Sequence, residues 1–62
     1  MKHAATITFV DSETEDEACV VVRYDETTIG LCSSLKTNGD IEVYMTKDDA
    51  RKLIEALKEA TK

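Results

Sequence analysis

An α+β domain, four antiparallel strands followed by one C-terminal helix (ββββα), is predicted by three observations. The hydrophobic period changes at Thr46. Before it Ile41, Val43 and Met45 alternate with Glu42 and Tyr44, as on a half-buried strand. After it Ala50, Leu53, Ile54 and Leu57 recur as on one face of a helix. Earlier segments alternate in the same two-residue period. Thr37-Asn38-Gly39 is a strong turn between two of them.

The elements follow in order. Ala5 to Val10 reads as the first strand, with Ile7 and Phe9 on one face and Thr6, Thr8 and Val10 on the other. The segment 11–17 has no apolar period, and its adjacent like charges oppose any compact form, so it reads as a solvated loop. Ala18 to Asp25 is the second strand, Glu26-Thr27 a short turn without glycine, and Thr28 to Lys36 the third strand. Ile41 to Met45 is the fourth. The helix runs from Lys47 to about Ala60, entered through Thr46 and Asp49, a capping box with Asp in the usual Glu place. On its outer side Asp48 and Lys52 have the favourable i,i+4 order.

Register follows from the turns. Asp25 facing Thr28 sets Tyr24 opposite Ile29, Val22 opposite Leu31 and Val20 opposite Ser33. A two-residue Asn38-Gly39 loop would put Leu35 opposite Glu42, on the wrong face. A three-residue loop with Gly39 in the left-handed bulge position instead pairs Leu35 with Ile41. One sheet face then gathers Ile7, Phe9, Val20, Val22, Ile29, Leu31, Leu35, Ile41, Val43 and Met45, and the helix is expected to lie across it and close the core. The other face carries Cys19, Val21, Arg23, Gly30, Cys32, Ser34, Glu42 and Tyr44, and the same register sets Val21 and Tyr44 either side of Cys32. Two readings of this stripe stand: a patch of about 200–300 Å², such as monomers carry, or an oligomer or partner face.

A chain of 62 residues is expected to make one domain, and at that length only about 60% of the unfolded surface is buried. The net charge of −5 is uneven: residues 1–31 carry seven acids against Lys2 and Arg23, whereas 32–62 balance. Asp11, Glu13, Glu15, Asp16 and Glu17 hold most of the excess. Phosphate binding needs clustered Lys and Arg, so direct nucleic-acid binding is not expected; a protein partner with a basic surface is. Met1–Ala5 leads into an alternating strand rather than an apolar signal core, and no segment approaches a membrane span. A reducing cytoplasm, with Cys19 and Cys32 as free thiols, is the expected setting.

Chemistry is poorly supplied. The lone His3 sits at an end expected to fray, so no base is placed beside Cys19, Cys32, Ser33 or Ser34. The cysteines lie thirteen apart without His or Cys neighbours, which gives no zinc framework. As a calcium loop, 11–22 has Asp16 where glycine is needed and Val22 where a bidentate Glu is needed. Gly30 and Gly39 are the only glycines, so no phosphate-cradling loop exists. No enzyme activity, cofactor or metal is expected.

The run Ile29 to Leu57 resembles a pattern in small uncharacterised bacterial and phage-borne proteins. There a Gly-Leu-x-x-Ser-Leu strand, here Gly30 to Leu35, precedes an Asp-Gly turn, an alternating strand and a helix opened by Thr or Ser; here Asn38-Gly39-Asp40 holds the turn place, with an aspartate in the glutamate place of the helix. The resemblance implies the ββββα fold and carries over no functional residue. A protein-interaction module is the function expected, as an antagonist or regulator acting by occlusion. Its contact would be made by Glu13, Glu15, Asp16 and Glu17 with Val21, Arg23, Cys32 and Tyr44. The rivals are a structural subunit that homodimerises and an acidic mimic of nucleic acid.

Overall fold

Threonine- and valine-rich alternation produces four strands, and the computed structural model, which describes residues 1–37 and 39–62, orders them as a simple meander. They are β1 (Lys2–Val10), β2 (Glu17–Tyr24), β3 (Thr28–Leu35) and β4 (Gly39–Thr46), followed by helix α1 (Lys47–Ala60). The strands form one open antiparallel sheet in the order β1-β2-β3-β4. The chain is thus an α+β protein of ββββα type.

The β2–β3 register is the predicted one, with Tyr24 opposite Ile29, Val22 opposite Leu31 and Val20 opposite Ser33. Asp25 takes the place of a turn glycine. Its Oδ1 accepts the Thr27 N–H at 3.0 Å and the Thr28 N–H at 2.9 Å, while its own N–H donates to the Thr28 carbonyl at 3.0 Å.

The β3–β4 register differs from the prediction by two residues. Leu35 pairs with Gly39 and Ser33 with Ile41, rather than Leu35 with Ile41. A shift of two keeps every side chain on its own face, so the hydrophobic alternation cannot detect it. Gly39 does have positive φ, +76°; the expected part of Asn38 in the turn lies outside the described residues. The consequence falls on the polar face. Cys32 keeps Val21 on one side but has Glu42 on the other, and Tyr44 lies opposite Gly30.

Two further expectations are corrected at the N-terminal side. β1 starts at Lys2, not Ala5, so His3 does not fray: it pairs with Arg23, and its Nε2 is hydrogen-bonded to the Thr6 hydroxyl at 2.7 Å. The acidic segment is the expected loop at 11–16, with Glu17 already in β2, but it folds into a compact hydrogen-bonded turn. Asp11 Oδ2 accepts from the N–H groups of Glu13 (3.2 Å) and Thr14 (2.7 Å) and from the Thr14 hydroxyl (2.8 Å). The Glu15 N–H reaches the Asp11 carbonyl at 2.9 Å. One acid gathering donors offsets the like-charge repulsion among the others.

Helix α1 begins as predicted. Half of the capping box is present: the Thr46 hydroxyl accepts the Asp49 N–H at 3.1 Å, while the Asp49 carboxylate lies toward Lys52; Asp48 and Asp49 sit in the first turn, where the helix dipole favours negative charge. The surface pairs are at i,i+3, not i,i+4: Asp48 meets Arg51 at 2.6 Å and Asp49 meets Lys52 at 3.9 Å.

The predicted core does not close within one chain. Helix α1 approaches only β3 and β4. Its apolar stripe stays open, with Leu53 39%, Ile54 49% and Leu57 55% exposed. On the sheet Ile7, Phe9, Ile41 and Val43 are exposed as well. Among the described residues only Gly30 is buried.

Candidate functional site

The polar face of the sheet holds the most organised side chains. Antiparallel pairing sets His3, Arg23, Gly30 and Tyr44 in one row and Thr6, Val21, Cys32 and Glu42 in the next. Gly30 decides the geometry. A Cβ there would lie 3.2 Å from Tyr44 Cε1 and 3.5 Å from Met1 Sδ, so the ring and the methionine sulfur occupy the hollow over the glycine. Glycine within a strand marks such a close approach.

Tyr44 is fixed at its other end too. Its hydroxyl donates to Glu42 Oε1, and Arg23 Nη1 lies 3.4 Å from Glu42 Oε2. The exposed ion pair contributes little to stability; its effect is to hold Glu42 against the ring. The hydrogen bond to Glu42 and that carboxylate's charge hold the Tyr44 phenol above the ordinary tyrosine value, with Arg23 opposing. Tyr44 is 61% exposed yet held in place.

Cys32 is half-buried. Burial pushes its thiol up, and the charges of Asp40 and Glu42 add to this. A thiol shifted that way stays protonated and is a poor nucleophile. Cys19 Sγ and Ser34 Oγ lie 3.1 Å apart, and both cysteines are free. Among the described residues no group of three or more His, Cys, Asp or Glu is placed to hold a metal ion.

The acidic residues divide into two sets. Asp16 accepts a hydrogen bond from the Thr37 hydroxyl, and Glu17 lies 3.5 Å from Lys36, whose N–H donates to the Glu17 carbonyl at 3.0 Å. These tie the loop to the far hairpin. Glu13 and Glu15 are exposed, and Glu15 has positive φ, 62°. Asp11, which organises the turn, is held below the ordinary carboxylate range by its hydrogen bonds, first that from the Thr14 N–H.

Val21, Arg23, Cys32 and Tyr44 therefore come together on one face. The loop carrying Glu13, Glu15 and Asp16 stands at the opposite end of β2. Six residues at about 3.3 Å each put about 20 Å between Glu17 and Arg23. Sequence reasoning placed Glu42 and Gly30 on this face but not in the contact, and it missed Met1. The first two were signalled: Glu42 and Tyr44 share a face by strand alternation, and Gly30 interrupts the apolar run Ile29-Leu31.

Comparison with known proteins matches no family model, no curated protein and no solved structure. No helix among the described residues is long and apolar enough to cross a membrane.

Proposed function

We propose that the chain is a small, non-catalytic, cytoplasmic protein-interaction module that acts by covering a basic surface on a partner protein, as an antagonist or regulator would. The observation that carries this reading is Tyr44: an aromatic ring 61% exposed, seated on Gly30 and tethered through Glu42 to Arg23. Tyr and Arg are enriched where binding energy concentrates. A side chain already held loses little conformational freedom on binding. The outward Glu13 and Glu15 add charge at one end, which speeds encounter with a basic surface more than it tightens the complex. A partner that normally binds nucleic acid is a special case of the same chemistry.

The test is affinity capture from the native host followed by kinetics with the purified partner at two salt concentrations. Tyr44→Ala should speed dissociation about thirtyfold or more, the effect of losing about 2 kcal/mol at a binding centre. Glu13→Ser with Glu15→Ser should slow association and flatten its salt dependence, because both side chains lie outside the turn's hydrogen bonds. A partner that leaves the Tyr44→Ala variant no faster than the wild type would remove the polar face from the contact.

A further inference from the structure

We propose that a second copy of this chain covers the apolar face, with the helix of each chain lying on the sheet of the other about a two-fold axis. The open surface consists of two complementary halves. One is the helix stripe Leu53, Ile54 and Leu57; the other is the sheet face bearing Ile7, Phe9, Ile41 and Val43. These are the two sides of an ordinary helix-on-sheet core. Within one chain they meet only in part: α1 approaches β3 and β4 alone, and β4 ends at Thr46 and α1 begins at Lys47, with no residue between. Strand-to-helix connections that fold a helix back over its sheet commonly take about 2–6 residues. Thr46 instead serves as last strand residue and helix cap together.

The area of the open surface fits a dimer. The chain exposes 4982 Å². A compact chain of 6.9 kDa exposes about 4,000 Å². The excess, about 1,000 Å², matches the roughly 800 Å² that each partner buries in a standard stable interface. The radius of gyration is 12.6 Å, against about 10.6 Å for a compact chain of this length. A foreign protein would have to bring both a helix for the sheet and a sheet for the helix. A second copy brings both, and a two-fold axis satisfies both contacts at once and closes the assembly. The dimer uses the face opposite Tyr44, so it stands or falls independently of the partner proposed for the polar face.

Light scattering on the purified chain at micromolar concentration should give twice the 6.9 kDa chain mass, and Tm should rise with protein concentration. Ile54→Asp on the helix and Ile7→Asp on the sheet should each halve the mass, whereas Thr8→Asp on the polar face should leave it unchanged. Mixing Ile54→Asp with Ile7→Asp chains should restore dimers, because one of the two helix-on-sheet contacts is then wholly native. If either variant alone loses its circular dichroism, recovery of the signal on mixing supports the exchanged dimer and its absence overturns it. A monomeric wild type with a concentration-independent Tm overturns the proposal. So does a dimer that survives both apolar-face variants, which would be held through a sheet edge, or one broken by Thr8→Asp alone.

Discussion

A single methyl group at Gly30 would meet the Tyr44 ring at 3.2 Å, closer than an ordinary contact. The ring is at the surface and can swing away, so Gly30→Ala should cost little stability and instead loosen the Tyr44–Glu42 hydrogen bond. Because that bond and the Glu42 charge raise the phenol's pKa, the tyrosinate transition should move to lower pH in Gly30→Ala and further in Glu42→Gln. Ultraviolet titration in a Tyr24→Phe background reads this single phenol. A raised folded value favours the neutral phenol, so its contribution to stability is complete below the unfolded pKa and is lost as pH rises through the folded one. Gly39 poses the other problem. Nothing lies within 4 Å of an added Cβ, but φ is +76°, so the cost is backbone strain alone. Gly39→Val should lower stability by about 1–2 kcal/mol, and Gly39→Asn by less, measured by urea denaturation at fixed protein concentration. The backbone demand at Gly39 was legible because an Asn-Gly pair between alternating runs has few other uses. The role of Gly30 was not, since alternation does not say which ring will lie over it.

At the scale of elements, two aspartates do what glycines do elsewhere. Asp11 and Asp25 each gather backbone N–H groups, and both carboxyls are held below their ordinary value, Asp11 first by Thr14 and Asp25 first by Thr27. A lowered folded pKa contributes stability above the unfolded value and loses it as pH falls through the folded one. Stability should therefore decline below about pH 4. Asp11→Asn or Asp25→Asn, which keeps an acceptor oxygen, should flatten that decline in acid denaturation curves; an unchanged slope would mean that the turn carboxylates do not govern it. The helix start offers a neutral counterpart: Thr46→Ala removes the acceptor of the Asp49 N–H and should cost about 0.5–2 kcal/mol. These elements were readable because caps and turns are local chemistry. The β3–β4 offset was not readable, because pairing Ser33 with Ile41 places the same side chains on the same faces as pairing Leu35 with Ile41 would.

For the whole molecule, the stripe Ala50-Leu53-Ile54-Leu57 and the sheet face around Ile7 and Val43 announce two apolar surfaces, both of which the single chain leaves largely open. Amphipathicity carries no label for the chain that supplies the cover; within this chain α1 approaches only β3 and β4, from a joint with no residue between Thr46 and Lys47. Truncations along the helix distinguish the two arrangements. Leu53, near the sheet, is 39% exposed in the single chain, and Leu57, a turn further out, is 55% exposed. Packing within one chain would make Leu53→Ala clearly the more damaging change and Leu57→Ala nearly neutral. Cover by a second sheet buries the whole stripe, so each change should cost about 2–5 kcal/mol, the range for a leucine lost from a packed interior. Urea denaturation at two protein concentrations measures this, and part of the loss should be recovered at the higher concentration because association is coupled to folding. An unchanged midpoint for Leu57→Ala would leave the outer end of the helix in solvent.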